Sequence, residues 1–277
     1  MKYITEYRDK ELAKKLVADI AKEARPDRNY RLMEFCGGHT HVISRYGLEG
    51  ILPKNVRMIH GPGCPVCVMP IGRIDSAIEL ALEHGVILCT YADTMRVPAS
   101  KGLSLMKAKA QGGDIRMIYS AADCLDIARA NPDRNVVFFA IGFETTTPAT
   151  AVVLKQAKAE GLKNFFVFCN HVLTPPAMRH ILKNQEKVQI EGFVGPAHVS
   201  TIIGSEPYET FAKDYSKPVV IAGFRAFGYA SVYSDADPPN QPRRSQSRKR
   251  IYTRRSPRRQ YEGHSNDGRS FCASRQL

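Results

Sequence analysis

The sequence has no long apolar run. None of its 277 residues belongs to a stretch of 18 or more consecutive apolar residues, so no transmembrane helix is predicted. The first residues, MKYITEYRDKELAKKL, also lack the apolar segment that follows the basic residues of a secretory signal. We therefore expect a soluble, cytoplasmic protein without a membrane partner.

Paired cysteine motifs and nucleotide-binding motifs are scarce. The seven cysteines are an odd number, which does not suit a disulfide framework, and in a reducing compartment they favour metal or redox chemistry. One C-x-x-C pair is present, whereas a complete zinc or cluster site requires a second pair.

Nucleotide-binding motifs are absent from the sequence. No G-K-S/T occurs, and GPGCPV departs from G-x-G-x-x-G at its last position, so neither NTP nor dinucleotide binding is predicted.

Positive charge is concentrated near the C-terminal end. Residues 225–277 contain 12 Lys and Arg against 4 Asp and Glu, a net charge of +8, which leaves +5 of the chain's +13 for residues 1–224. This segment has three aliphatic residues, Val232, Ile251 and Leu277, too few to offset the entropy of ordering it. We predict a disordered basic tail; the alternative is that its RRSQSRKR run binds nucleic acid or another anionic surface.

The preceding residues alternate short apolar runs with helical patterns. Eight runs are typical of strands, at 30–35, 56–60, 86–92, 115–119, 136–143, 165–169, 190–195 and 218–224. Patterns such as IDSAIELALEH and TPATAVVLKQAKAEG predict helices between them. This alternation indicates an α/β fold whose parallel strands are joined by helical crossovers.

The expected architecture is two similar parallel-sheet α/β domains with helices on both faces. The predicted segments are an N-terminal helix in 1–30, α/β domains in 31–125 and 126–224, and the tail in 225–277. In such folds ligands bind at the carboxyl ends of strands. The loops that follow the predicted strands are therefore where we expect functional residues.

The motif EFCGGHTH follows the first predicted strand. Cys36 comes at the strand end, and Gly37 and Gly38 allow a positive φ or a close approach between backbone and ligand. His39 and His41 are candidate hydrogen-bond donors or ligands. The alternative is a Gly-Gly turn with a buried thiol and two solvated imidazoles.

A second motif, GPGCPVC, places Cys64 and Cys67 on a stiff loop. Such a pair is either half of a metal site or a redox pair. Redox chemistry fits better, because Pro65 stiffens the loop and a helix N-terminus near Cys67 would favour the thiolate. The alternative is two inert thiols in a turn. Three single cysteines lie in predicted strands or helices and are expected in the core: Cys89, Cys124 and Cys169.

A third motif, GFETTTP, ends the most apolar predicted strand. Its threonines and proline predict a helix N-terminus. Glu144 is a candidate acid or base, or it complements the helix dipole. His171 and His198 lie in loops after later strands and are either functional or solvated.

Four segments resemble one family. FCGGHTH, HGPGCPVCVMPIGRID, IGFETTTPAT and GPAHVSTIIG are similar, in this order, to motifs of the HypD family of hydrogenase maturation factors. The resemblance implies a scaffold for assembling the Fe(CN)2CO unit of [NiFe]-hydrogenases rather than a conventional turnover enzyme. It also implies the small chaperone HypC and the cyanide donor HypE as partners, with the hydrogenase large subunit as an indirect one.

The resemblance implies roles for individual residues. The candidate iron-site residues are Cys36, Gly37, Gly38 and Cys67. The candidate catalytic residues are Cys64 and Cys67, which the resemblance implies as a redox pair, together with His39, His41 and Glu144 from the motifs described above. This agrees with elementary chemistry, because thiolate is a soft ligand suited to iron that carries π-acceptor ligands. A dithiol also supplies electrons in pairs.

Beyond Phe224 the sequence departs from the family pattern. Family members carry an acidic, helix-rich region and cysteines for a [4Fe-4S] cluster, whereas Cys272 is the one cysteine here, and one thiol cannot hold such a cluster. We expect a shifted reading frame near residue 225, with a true basic tail as the alternative. Two other functions stay open: a general C-x-x-C thiol-disulfide oxidoreductase, and nucleic-acid binding through the tail, which we do not expect.

Overall fold

The computed structural model describes residues 10–184 and 189–223. The predicted tail, with Cys272, lies outside the described residues. The strands within the described ranges are β1 (Tyr30–Glu34), β2 (Val56–His60), β3 (Ile87–Thr90), β4 (Ile115–Met117), β5 (Val136–Gly142), β6 (Phe165–His171), β7 (Gly192–Pro196) and β8 (Val219–Ala222). Each strand overlaps one of the predicted apolar runs, and β6 and β7 extend one or two residues beyond theirs.

Helices connect these strands. Within the same ranges they are α1 (Lys10–Glu23), α2 (Gly37–Tyr46), α3 (Leu48–Ile51), α4 (Ile71–Leu82), α5 (Leu105–Ala110), α6 (Asp123–Ala130), α7 (Thr147–Ala159), α8 (Thr174–Lys183), α9 (Ala197–Ile203) and α10 (Glu206–Tyr215). In this part of the chain, no helix has the length and apolar character that crossing a bilayer requires.

The strands form two four-stranded sheets. The first has the order β2-β1-β7-β8 and the second β4-β3-β5-β6, and every neighbouring pair is parallel. Parallel neighbours need long crossovers, which the helices supply. The predicted α/β fold with two parallel-sheet units is therefore confirmed.

Strands that are distant along the chain share the first sheet. It combines β1 and β2 with β7 and β8, while the second sheet takes the four strands between them. The predicted division between residues 125 and 126 falls between β4 and β5, so it does not separate the two sheets. The reason is that Leu32 of β1 pairs with Gly192 of β7, and such long-range pairing is not encoded in the periodicity of either segment.

Both faces of each sheet are covered by helices. Phe138 and Phe139 of β5 are fully buried, and because neighbouring side chains point to opposite faces, they enter different cores. Phe138 packs with α6 and α7, and Phe139 with α4 and α5. In the first sheet, Leu32 likewise packs with α2 and α3, and Met33 with α8 and α10.

The carboxyl ends of β1 and β2 lie side by side. Glu34, the last residue of β1, is in register with His60, the last residue of β2. The chain leaves β1 into the Cys36 motif and leaves β2 into GPGCPVC. Parallel pairing thus brings the two cysteine motifs to one edge of the first sheet.

Candidate functional site

The two cysteine loops are in backbone contact. Gly37 N donates a hydrogen bond to Gly63 O at 3.3 Å, and Gly61 N donates one to Glu34 O at 2.9 Å. A Cβ atom at Gly63 would lie 2.5 Å from Gly37 N and 2.7 Å from the carbonyl carbon of Cys36. Glycine at 63 is therefore what allows the CPVC loop (residues 64–67) to pack against the Cys36 loop (residues 35–38).

Cys36 lies at the start of α2. It is the N-cap residue, with an extended φ of −162°, and it is half-buried. Burial raises the pKa of the Cys36 thiol, and the charge of Glu34 adds to the rise, while the N–H groups of Gly38 and His39 oppose it. The thiol is therefore protonated at neutral pH. A thiol must lose its proton before it can ligate a metal.

Cys64 and Cys67 form a close dithiol. Their Sγ atoms are 2.7 Å apart, and Cys67 N donates to Cys64 Sγ at 3.2 Å. Both are free thiols, and Cys67 is exposed. Closing this pair to a disulfide would release two electrons and two protons.

The expected lowering of the Cys67 pKa is wrong. The hydrogen bond with Cys64 raises the pKa of the Cys67 thiol, and burial adds a smaller rise. The next helix begins at Ile71, after a turn. A helix dipole acts within its first turn, so the neighbouring sulfur has the larger effect on Cys67.

Glu34 occupies the centre of the site, although the sequence motifs did not single it out. It is fully buried. Its Oε2 accepts from Cys36 N at 2.8 Å, and its Oε1 accepts from Thr40 Oγ1 and from His60 Nδ1, the latter at 2.9 Å. Nδ1 of His39 lies 3.9 Å from the carboxylate. The available signal was an acidic residue in the apolar run YRLMEF, where a buried carboxylate needs partners.

The structure separates the two histidines of the first motif. His39 is fully buried, its Nε2 lies 3.0 Å from Ala222 O, and it reaches the Glu34 cluster. His41 is exposed on α2. Of the two, His39 is the one that the fold brings to the buried part of the site.

Glu144 is held at a helix N-terminus. It is buried, and its carboxylate accepts from Thr174 N at 2.5 Å and from Thr174 Oγ1 at 3.0 Å. Thr174 is the first residue of α8, so Glu144 complements that helix dipole. Glu144 also acts electrostatically on His198, which in turn affects His39. The acid-base role of Glu144 stays a prediction.

The single cysteines divide into buried and exposed. Cys89 and Cys124 are fully buried, as expected for core residues. The expectation for Cys169 is wrong, because it is exposed on β6, an edge strand of the second sheet. Across residues 10–184 and 189–223, no three His, Cys, Asp or Glu side chains are grouped so that they could hold a metal ion.

One buried and two half-buried histidines predict acid sensitivity. Burial lowers the pKa of His39, His171 and His198 below the ordinary value of 6.5. These groups bind more protons when unfolded, so their contribution to stability is complete above pH 6.5 and is lost as the pH falls through the folded pKa. We expect a lower Tm at about pH 5.5 than at about pH 7.5. The free energy of unfolding should change with pH by at most about 4 kcal/mol per pH unit if all three imidazoles titrate.

Thermal unfolding across this pH range measures the effect. His39→Asn should reduce the pH dependence of the free energy of unfolding. His41→Asn, at an exposed position, should leave that pH dependence unchanged. A Tm that does not change between these pH values would contradict the burial of His39 and the partial burial of His171 and His198.

Comparisons with known proteins agree with the motifs. The HypD family model, described as "Hydrogenase formation hypA family", matches residues 11–232. Hydrogenase maturation factor HypD2 of Bradyrhizobium diazoefficiens is 66% identical over 229 residues, and HypD of Cupriavidus necator is 64% identical over 229. HypD of Escherichia coli is 47% identical over 229 residues.

The alignments cover 81% of this chain and 60% or 61% of each relative. The chain thus spans about three fifths of the length of these relatives. The family model covers most of the chain and includes both cysteine loops. The chain belongs to the HypD family.

Proposed function

We propose that this chain acts in hydrogenase maturation as a scaffold and thiol-redox protein for the Fe(CN)2CO moiety. Membership of the HypD family supports the process. The observation that carries the mechanism is the backbone contact between Gly63 and Cys36–Gly37, which holds a dithiol loop against a single half-buried thiol. The proposed partners are HypC, HypE and, indirectly, the hydrogenase large subunit, in the cytoplasm.

The iron unit is cargo in this proposal. Cys36 supplies a thiolate, the soft donor that suits iron with cyanide and carbonyl ligands, and Cys67 is the candidate second ligand. The described residues offer no group of three donors, so the remaining ligands come from the cargo itself and from HypC. A site completed by a partner lets the cargo leave when the partner leaves.

The CPVC loop supplies electrons. Oxidation of the Cys64 and Cys67 thiols forms one S–S bond and releases two protons and two electrons. The proposed acceptor is the cyano group on its carrier: the two electrons break the bond between the carrier and the cyano group, cyanide passes to iron, one proton goes to the carrier and the other is released. His39 and His41 are the proposed hydrogen-bond donors or proton carriers.

Infrared spectroscopy tests the proposal. The full chain is purified with HypC without oxygen, and its iron content and its cyanide and carbonyl stretching bands are compared with those of Cys36→Ala. We expect bands in the native chain and their loss in Cys36→Ala. Cys169→Ala, which removes an exposed thiol on β6, is the matched control and should keep them. Bands that survive in Cys36→Ala would refute the assignment of Cys36.

A general thiol-disulfide oxidoreductase is the second candidate. The 2.7 Å separation of the Cys64 and Cys67 sulfurs favours it. It predicts reduction of protein disulfides that survives in Cys36→Ala and needs no iron. Loss of that activity in Cys36→Ala, together with loss of iron, would exclude it in favour of the scaffold.

A further inference from the structure

Glu34 joins three separate segments. Its carboxylate accepts from Cys36 N in the first cysteine loop, from Thr40 Oγ1 in α2 and from His60 Nδ1 at the end of β2. Its backbone carbonyl accepts from Gly61 N, the first residue of the GPGC segment. Glu34 therefore binds both the segment that carries Cys36 and the segment that leads to the CPVC loop.

We propose that Glu34 is a positioning residue that fixes the separation of the Cys36 loop and the CPVC loop, with His60, at the end of the strand that leads to the CPVC loop, as its anchor. The assignment of functional roles to these cysteines rests on the proposed function. The positioning itself rests on the contacts of Glu34 alone.

Because residue 34 is buried among hydrogen-bond donors, its position requires a carboxylate. A buried charged group is tolerated when hydrogen bonds replace its hydration, and bonds to a charged acceptor are stronger than neutral ones. Both oxygens of Glu34 are used, and the side chain is fully buried. A glutamine in this place would have one acceptor oxygen instead of two, and its NH2 group would face donors.

Glu144 shows what a merely local carboxylate does. It is also buried, but both of its hydrogen bonds come from Thr174, so it caps one helix. Glu34 bonds to side chains or backbone on either side of the gap between the two loops. The Glu144→Gln variant is therefore a control for losing a buried carboxylate without losing a bridge between the cysteine loops.

The separation of the loops can be measured without iron. Dibromobimane fluoresces when its two arms react with neighbouring thiols. In a Cys67→Ser background it reports whether Cys36 and Cys64 can be bridged, and mass spectrometry identifies the bridged peptides. A Cβ placed on Gly63 would lie 3.0 Å from Cys36 Cα, so Cys64, the next residue, is near enough to be tested.

We expect Glu34→Gln to lower the bridging yield about tenfold, because hydrogen bonds to a charged acceptor are lost. His60→Ala should lower it in the same direction, and His60→Asn should restore it, since Asn Nδ2 can take the position of His Nδ1 as donor. Glu144→Gln should bridge as the parent does. This rescue distinguishes positioning from a general loss of stability.

Two outcomes would overturn the inference: parental bridging in a folded Glu34→Gln protein, or equal yields in His60→Ala and His60→Asn. If Glu34→Gln does not fold, the bridging yields of His60→Ala and His60→Asn test the inference instead. Missing infrared bands in the native chain, with the bridging pattern as expected, would refute the proposed function and leave the positioning role intact. Infrared bands in the native chain, together with unchanged bridging in Glu34→Gln, would refute the positioning role and leave the proposed function intact.

Discussion

Gly63→Ala is expected to push the two cysteine loops apart and to lower Tm by about 5–10 °C, from about 2–3 kcal/mol of steric strain. The added Cβ would lie 2.5 Å from Gly37 N and 2.7 Å from the Cys36 carbonyl carbon. Both are backbone atoms, which cannot rotate away as a side chain can. The loops must therefore move, and with them the thiol pair and Cys36.

The functional consequence of Gly63→Ala is loss of the paired arrangement. We expect the dibromobimane bridge between Cys36 and Cys64 and the cyanide and carbonyl bands to decrease together. Thermal unfolding, bridging yield and infrared intensity on the same preparation measure these effects.

Gly72→Ala is the matched control. Gly72 lies in α4, shortly after the CPVC loop, and a Cβ there would meet no heavy atom within 4 Å. Alanine is favoured over glycine inside a helix by about 0.5–1 kcal/mol, so this variant should be at least as stable as the parent and should keep its bands. A Gly63→Ala protein with the parental Tm and bridging yield would contradict the packing of the two loops.

The strands could be predicted from the sequence because their cores are locally encoded. In VVFFAIGF, every residue of β5 is buried, and a parallel strand covered on both faces needs such a continuous apolar run. The positions of Cys36 and Cys64 just after strands followed from the same pattern. Parallel pairing of β1 with β2 then explains why the two motifs meet.

The partners of buried polar groups could not be predicted. In the sequence, nothing shows which groups Glu34 contacts. Its role depends on the register of β1 and β2, which places His60 beside it. The pKa of Cys67 depends on the sulfur of Cys64 at 2.7 Å, a distance that the C-x-x-C spacing does not specify. Glu144 caps α8 rather than the helix that follows it, because β5 and β6 pair and bring Thr174 close.

Gly142→Ala is expected to destabilise the second sheet by about 2–4 kcal/mol, combining backbone strain with loss of a hydrogen bond. Gly142 ends β5 with a φ of +149°, and a Cβ there would lie 1.7 Å from Thr146 Oγ1. Rotating Thr146 away would break its 3.0 Å bond to Phe143 O. The turn that carries Glu144 towards Thr174 would be displaced, so denaturant unfolding should show a lower midpoint.

Two comparisons separate strain from collision in Gly142→Ala. Gly161 also has a positive φ, +71°, but a Cβ there would meet no atom within 4 Å, so Gly161→Ala should cost only the strain, about 1–2 kcal/mol. In a Thr146→Ala background, Gly142→Ala should cost less than in the parent by about 1 kcal/mol or more, because the colliding hydroxyl is gone. Strictly additive costs would show that Thr146 does not constrain Gly142. Equal costs at Gly142 and Gly161 would show that strain alone requires glycine at the end of β5.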